Sequence, residues 1–277
     1  MGRNAHPFWA QDEYTYDDDV TPVGVAAGYN NDVGRGNLAI NTGYFSMPVG
    51  MQAFAGNLFG LQDVYSFKFG KGAKLTLAAA YYDYDATDFE IERDANGDPI
   101  LDANGRPIIT SIDDLDALRL LDNNGLRDYQ TWEVNAQLKF DAFNLPWTIG
   151  VDYMSNCESY SAEDELFITR LGVTPNDDTG YLAFVQTGNL SDPGDWLAAY
   201  YFSRVEALTF NGSYGQDDCV RWGSAVETRS TDLRCQELRV GYAILKNVNL
   251  VARVYIADAV ANDEDGNRAR IDFNFKF

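Results

Sequence analysis

The sequence predicts an all-β fold, a transmembrane barrel of antiparallel up-and-down strands, on three observations. Segments of about ten residues alternate apolar and polar side chains along most of the chain. The connections between them alternate between tight turns and long acidic loops. The aromatic load is heavy, with 17 Tyr, 16 Phe and 5 Trp, as strands and the two girdles of a membrane barrel favour.

Composition narrows the class first. A chain of 277 residues holds one large β-domain or two small ones, and the strand series favours a single domain over 1–277. The net charge of -21, from 42 acids against 21 Lys plus Arg, argues against nucleic-acid binding, which needs a basic footprint. No run of about 18 apolar residues occurs, so no transmembrane helix is expected. Met1-Gly2-Arg3-Asn4 opens the chain without an apolar signal segment, and the expectation is a mature or truncated chain. Cys157, Cys219 and Cys235 have no C-x-x-C spacing. Cys219 and Cys235 are candidates to close an outside loop, with Cys157 left over.

Residues 1–20 read as a loop ending in Asp17-Asp18-Asp19. Val23, Val25, Ala27 and Tyr29 then alternate with Gly24, Ala26 and Gly28, the period of two that marks a strand. After a turn at 31–34, Leu38, Ile40, Thr42 and Tyr44 face away from Ala39, Asn41 and Gly43. A loop through 47–57 leads to Tyr65, Phe67 and Phe69, and Gly70-Lys71-Gly72 turns into Leu75, Leu77, Ala79 and Tyr81. Beyond an insertion at Thr87–Arg127 comes the clearest strand. Trp132, Val134, Ala136, Leu138 and Phe140 alternate without a break against Glu133, Asn135, Gln137 and Lys139.

Asn144-Leu145-Pro146 returns the chain into Trp147, Ile149, Val151 and Tyr153. Tyr181–Thr187 and Trp196–Val205 form a pair whose facing is ambiguous, because both sides carry apolar or aromatic residues. Leu238, Val240, Tyr242 and Ile244 follow, then a turn at Lys246-Asn247 into Leu250, Ala252, Val254 and Ile256. The last strand sets Ala269, Ile271, Phe273, Phe275 and Phe277 against Arg268, Arg270, Asp272, Asn274 and Lys276. In a soluble sandwich the apolar sides would face a core; in an outer-membrane barrel they would face lipid.

Loop lengths decide between these. Long connections at about 87–127, 156–176, 209–230 and 261–266 alternate with tight turns near Gly70, Asn144, Pro193 and Lys246. Short turns at one end and long loops at the other are the pattern of outer-membrane barrels. The count is about eleven strands, whereas bacterial single-chain barrels use even numbers. The chain is therefore expected to be the carboxyl-terminal part of a larger barrel, of about 16 strands.

The stretch Gly2-Arg3-Asn4-Ala5-His6-Pro7-Phe8-Trp9-Ala10-Gln11-Asp12, with Asp17-Asp18-Asp19 and Val23-Gly24-Val25-Ala26, resembles a segment of a porin family of Gram-negative outer-membrane β-barrels. There a Gly-Arg, Asn-Pro-Phe-Trp and Trp-Asp-Asp pattern precedes a mid-barrel strand. This sequence has His-Pro-Phe-Trp and Tyr-Asp-Asp-Asp in those places. The strand order and terminal Phe277 extend the resemblance along the chain, and it implies a channel without defining a solute.

Several residues compete for a functional reading. His6 is the one histidine and fits a structural place in this loop motif better than a catalytic one. Asp94, Asn96 and Asp98 offer oxygens at alternating positions, as calcium prefers, but without the loop length or closing Glu of an EF-hand; a hairpin turn is the plainer reading. Ser111 with Asp114, and Ser161 with Asp164, resemble capping boxes before short helices. The Thr87–Arg127 insertion is either an extracellular loop or one that folds inward and narrows the lumen.

From alternation, the pore-lining residues are expected to be Glu133, Asn135, Gln137, Lys139, Asp152, Glu237, Arg239, Arg253, Arg270, Asp272 and Lys276, because rings of charge set ion preference in channels. The expected function is an outer-membrane porin for passive diffusion of small hydrophilic solutes and ions, mildly cation-preferring. No cofactor and no catalysis are expected. The expected partners are outer-membrane lipid, the barrel-assembly machinery through the strand ending in Phe277, and further copies in a homotrimer. The rivals are a substrate-specific channel, an outer-membrane β-barrel enzyme and a soluble β-sandwich binding module.

Overall fold

The structure, a computed structural model, describes residues 2–3, 7–11, 16, 20–47, 56–70, 72–86, 90–101, 103, 108–111, 128–160, 174–212, 214–216, 218–222, 227–229, 231–261 and 263–276. Eleven long strands run antiparallel, up and down, in sequence order within one sheet. They are β1 (Val23–Val33), β2 (Gly36–Ser46), β3 (Gly56–Phe69), β4 (Ala73–Ala86), β5 (Tyr129–Ala142) and β6 (Leu145–Asn156). After them come β7 (Thr179–Gly188), β8 (Trp196–Val205), β9 (Leu233–Leu245), β10 (Val248–Ala259) and β11 (Asp265–Phe275). Among the described residues there is no helix, and β1 and β11 are not paired with each other. The free side of β1 meets Gly2–Arg3, and that of β11 meets Trp222 opposite Asp265. The sheet is therefore open. The two capping-box segments lie largely outside the described residues.

Connections segregate by length with one exception: the β7–β8 connection expected to be a tight turn near Pro193 spans the seven residues 189–195 at the short-turn end, more than the five of 260–264 at the other end. Tight turns join β1 to β2, β3 to β4, β5 to β6 and β9 to β10, while residues 87–128, 157–178 and 206–232 are long connections at the other end. The β5–β6 turn places Phe143 at φ 55° and Asn144 at φ 62°, the two positive values of a type I′ hairpin turn. Phenylalanine pays an αL penalty of about 1–2 kcal/mol there, and its side chain is 90% exposed. Phe143→Asn is expected to raise the urea midpoint of refolded protein; an unchanged or lower midpoint would mean that the exposed ring contributes more than the backbone strain removes.

Faces follow the alternation. Trp132 and Val134 are 51% and 49% exposed, whereas Glu133 and Asn135 are 5% and 4% exposed. The apolar side of the sheet thus points outward and the polar side inward, the reverse of a water-soluble fold. Outward aromatics gather at two levels. On the long-loop side, Tyr44 opposes Phe59, Tyr81 opposes Trp132 and Tyr181 opposes Tyr153. On the short-turn side, Phe140 opposes Trp147 and Trp196 opposes Tyr242. Trp132 and Phe140 are separated by about 26 Å along the strand at 3.3 Å per residue, on the scale of the apolar band of a membrane barrel.

Two details depart from the alternation reading. β3 begins at Gly56, well before Tyr65. Asp63 on its outward side interrupts the apolar pattern, although Phe59 and Leu61 continue it and are exposed. The ambiguous pair resolves because the inner side itself is aromatic here: Leu182, Phe184 and Tyr201 are buried inside, while Tyr181 and Tyr200 face out. Phe184 and Tyr201 stack with ring centroids 5.0 Å apart.

Candidate pore-lining site

Two segments that are not strands occupy the inner face. The first is 7–11. Gln62 of β3 grips it reciprocally, accepting from the Trp9 amide at 2.6 Å and donating to the Trp9 carbonyl at 2.7 Å. Phe8 lies among Phe45, Leu58 and Tyr82. Gly60 of β3 lies beneath its ring, and a Cβ there would overlap it. Gln11 donates to the Asp152 carboxylate and to the Val151 carbonyl. His6 lies outside the described residues.

The second segment is the start of the 206–232 connection, expected to be an outside loop. Its residues Ala207, Leu208, Phe210, Asn211, Tyr214, Gln216 and Asp218 are all buried. Asn156 donates to the Leu208 carbonyl at 2.8 Å and Thr131 to the Thr209 carbonyl at 3.1 Å. Tyr214 then stacks on Tyr84 of β4 and on Tyr16, with centroids 6.0 and 6.4 Å apart. Four residues later Asp218 contacts β10 and β11, and Cys219 is joined to Cys235 of β9 by a disulfide. Four residues reach at most about 14 Å. The inner faces of β4 and β11, seven places apart along the sheet, therefore confront each other across a gap this segment bridges. Within 87–127, the described part forms a small hairpin, Glu90–Ile91 with Ile109–Ser111, and residues 92–98 are exposed. The remainder lies outside the described residues, and among the described connections between long strands it is 206–220 that is seen on the inner face.

The expected pore-lining residues fall into two groups of opposite charge. Glu133 and Asn135 of β5 meet Asp152 of β6, where the Asn135 side-chain nitrogen donates to both carboxylates at 2.6 Å. All three are buried. Gln137 and Lys139 continue the same inner face toward the short turns, where Lys139 opposes Lys74.

On the last three strands, Arg239, Arg253 and Arg270 stand in one cross-strand row, each directly opposite the next. Like charges directly opposite destabilise a sheet, so the row demands compensation. Glu237 accepts from Arg239 at 2.6 and 3.0 Å, and the Arg239 guanidinium lies 4.5 Å from the Tyr201 ring. Asp272 accepts from Arg270 Nε at 2.6 Å. Asp218 supplies the rest, accepting from Arg270 Nη1 at 2.8 and 2.9 Å and from Tyr255 at 2.7 Å. It also lies 3.3 Å from Arg268 and 3.4 Å from Arg253. Burial opposes its charge, but the Tyr255 and Arg270 hydrogen bonds outweigh burial and hold its carboxyl below the usual range. Lys276 follows the end of β11 and is exposed, and Phe277 lies outside the described residues.

Alternation selected neither Asp218 nor Gln11, because both sit on connections where period-two reasoning has no reach. Arg268 shares the charged face of the last strand, so alternation did offer it. At the long-loop end, on the outward side beside Tyr44 and Phe59, a recess of about 290 Å³ carries Asp83, Asp85, Asp128 and Glu158. The Asp94–Asp98 turn satisfies its own oxygens: Asp94 Oδ1 accepts from the Asn96 and Asp98 amides at 2.8 and 3.0 Å. Those backbone hydrogen bonds lower the Asp94 carboxyl from its ordinary value.

No sequence-family profile matches the chain, and no curated protein sequence does. Among solved structures, the chain is similar to OprB of Pseudomonas putida, an outer-membrane porin determined at high pH, with a TM-score of 0.53 and 12% sequence identity. The match covers 95% of this chain but 60% of that one, so the chain spans well under two thirds of the OprB length. At this identity the likeness is one of fold, and that fold is a porin-like antiparallel β-barrel sheet.

Proposed function

We propose that this chain forms part of the wall of an outer-membrane channel for passive diffusion of small hydrophilic solutes and ions. The observation that carries the reading is the inverted sheet: an apolar outer face between two aromatic levels, and a charged inner face crossed by a buried connection. In a bilayer such a sheet satisfies both media, since lipid meets the aliphatic side and water the polar side. Its open edges and odd strand number fit a larger even-numbered barrel. The proposal includes no cofactor and no catalytic step. It also includes a homotrimer, and delivery to the membrane by assembly machinery that reads the terminal strand.

A net charge of -21 favours cations at the mouth. Single-channel recording in planar bilayers, on the longest natural version of this chain, tests this. Stable conductance steps with a reversal potential displaced toward cations in a salt gradient are the expected result. A folded, membrane-inserted protein without steps would overturn the channel reading. The in-register arginines favour a second version of the same reading, a channel selective for a particular solute class.

A further inference from the structure

We propose that Arg253, Arg268 and Arg270, with the Tyr255 hydroxyl, form a recognition site for small carboxylate solutes, and that Asp218 is its resident intramolecular occupant. The proposal rests on the channel reading for its route of access and names the solute class.

The arrangement around Asp218 is that of a bound carboxylate. One guanidinium nitrogen of Arg270 reaches both oxygens, Arg268 and Arg253 approach one oxygen each, and the Tyr255 hydroxyl donates to the second. Planar guanidinium forks suit two-oxygen anions better than a spherical ion such as chloride. The row is not explained by sheet stability, because its members oppose one another across neighbouring strands. A local rule broken in this way points to function.

Asp218 comes from the connection, not from the wall, and the connection has other attachments. Asn156 and Thr131 hold its first turn, Tyr214 is stacked on Tyr84 and Tyr16, and the Cys219–Cys235 disulfide fixes the residue next to Asp218. The carboxylate can therefore swing away without releasing the segment. Arg253 Nε makes no hydrogen bond and is held only in a 3.6 Å ion pair with Asp272 Oδ2, so this donor can still serve a closer acceptor. The Arg268 and Arg270 side chains remain 40% exposed.

If Asp218 competes with solute for these arginines, removing its charge should raise solute affinity. The experiment is calorimetric titration of sodium succinate, with sodium phosphate and sodium chloride at matched ionic strength, into protein folded in detergent micelles. Asp218→Asn is expected to bind succinate at least tenfold more tightly than wild type, with phosphate and chloride weaker than succinate. Should Asp218→Asn fail to fold, Arg253→Lys keeps the charge but removes the fork, and is expected to weaken succinate binding by about fivefold or more. Equal succinate affinity in Asp218→Asn and wild type, phosphate binding as tightly as succinate, or Arg253→Lys binding like wild type would each overturn the proposal. Calorimetry needs no ion flow. Absent conductance with intact succinate binding would thus remove the channel reading alone, while normal conductance without the affinity gain would remove this one alone.

Discussion

Val134→Arg is expected to lower the folding free energy into lipid vesicles by about 1–2 kcal/mol, because a cation on the lipid face costs about 2–4 kcal/mol at the midplane and less toward the aromatic level of Trp132. Val134 lies on β5 between the levels of Trp132 and Phe140 and is 49% exposed. Ala79 and Tyr153 oppose it on the neighbouring strands. Neither of these offers a counter-charge. A surface position in water would accept arginine with an effect within about 0.5 kcal/mol. Urea titration of vesicle-folded protein, followed by tryptophan fluorescence, separates the two cases. A Val134→Arg midpoint equal to wild type would place this face in water.

Replacing residues 210–216 by a short Gly-Ser linker is expected to raise single-channel conductance at least twofold with little effect on insertion. The segment carries Phe210, Tyr214 and Gln216, all buried on the inner side. Tyr214 bridges to Tyr84 and Tyr16. Conductance is governed by the narrowest wet cross-section, and this connection occupies inner-face space between β4 and β11. Keeping Asp218 and Cys219 in the shortened chain preserves the arginine contacts and the disulfide to Cys235. Unchanged conductance in a folded variant would show that ions pass elsewhere.

Much of the wall was legible without coordinates. Trp132 to Phe140 alternates so cleanly that β5 could be placed with its inner and outer faces assigned, and Phe273 with Arg270 did the same for β11. Turn chemistry marked the short-turn end, since Gly70 and Asn144 both adopt positive φ. What stayed hidden depends on contacts between distant parts of the chain. The two faces of β7 and β8 looked alike because an inner aromatic such as Phe184 has a partner, Tyr201, that only strand register reveals. The arginine row is another case. Alternation places Arg239, Arg253 and Arg270 on inner faces, but only register puts them side by side. Inward folding offered no periodic signal at all, and the 206–220 segment is held inside by single contacts such as Thr131 to the Thr209 carbonyl.

If one side of every strand meets lipid and the other a wet interior, quenching must alternate along β5. Single-cysteine fluorophore labelling at each position from 131 to 138, in a Cys157→Ser background that removes the exposed free thiol, tests it most directly. Vesicle-inserted protein would be probed with a lipid-soluble quencher and with aqueous iodide. The expected result is a period of two: labels at 132, 134, 136 and 138 quenched from the lipid phase, and those at 133, 135 and 137 sparing that quencher. Uniform protection of the even positions from the lipid quencher would contradict it, placing the apolar face against protein instead of membrane.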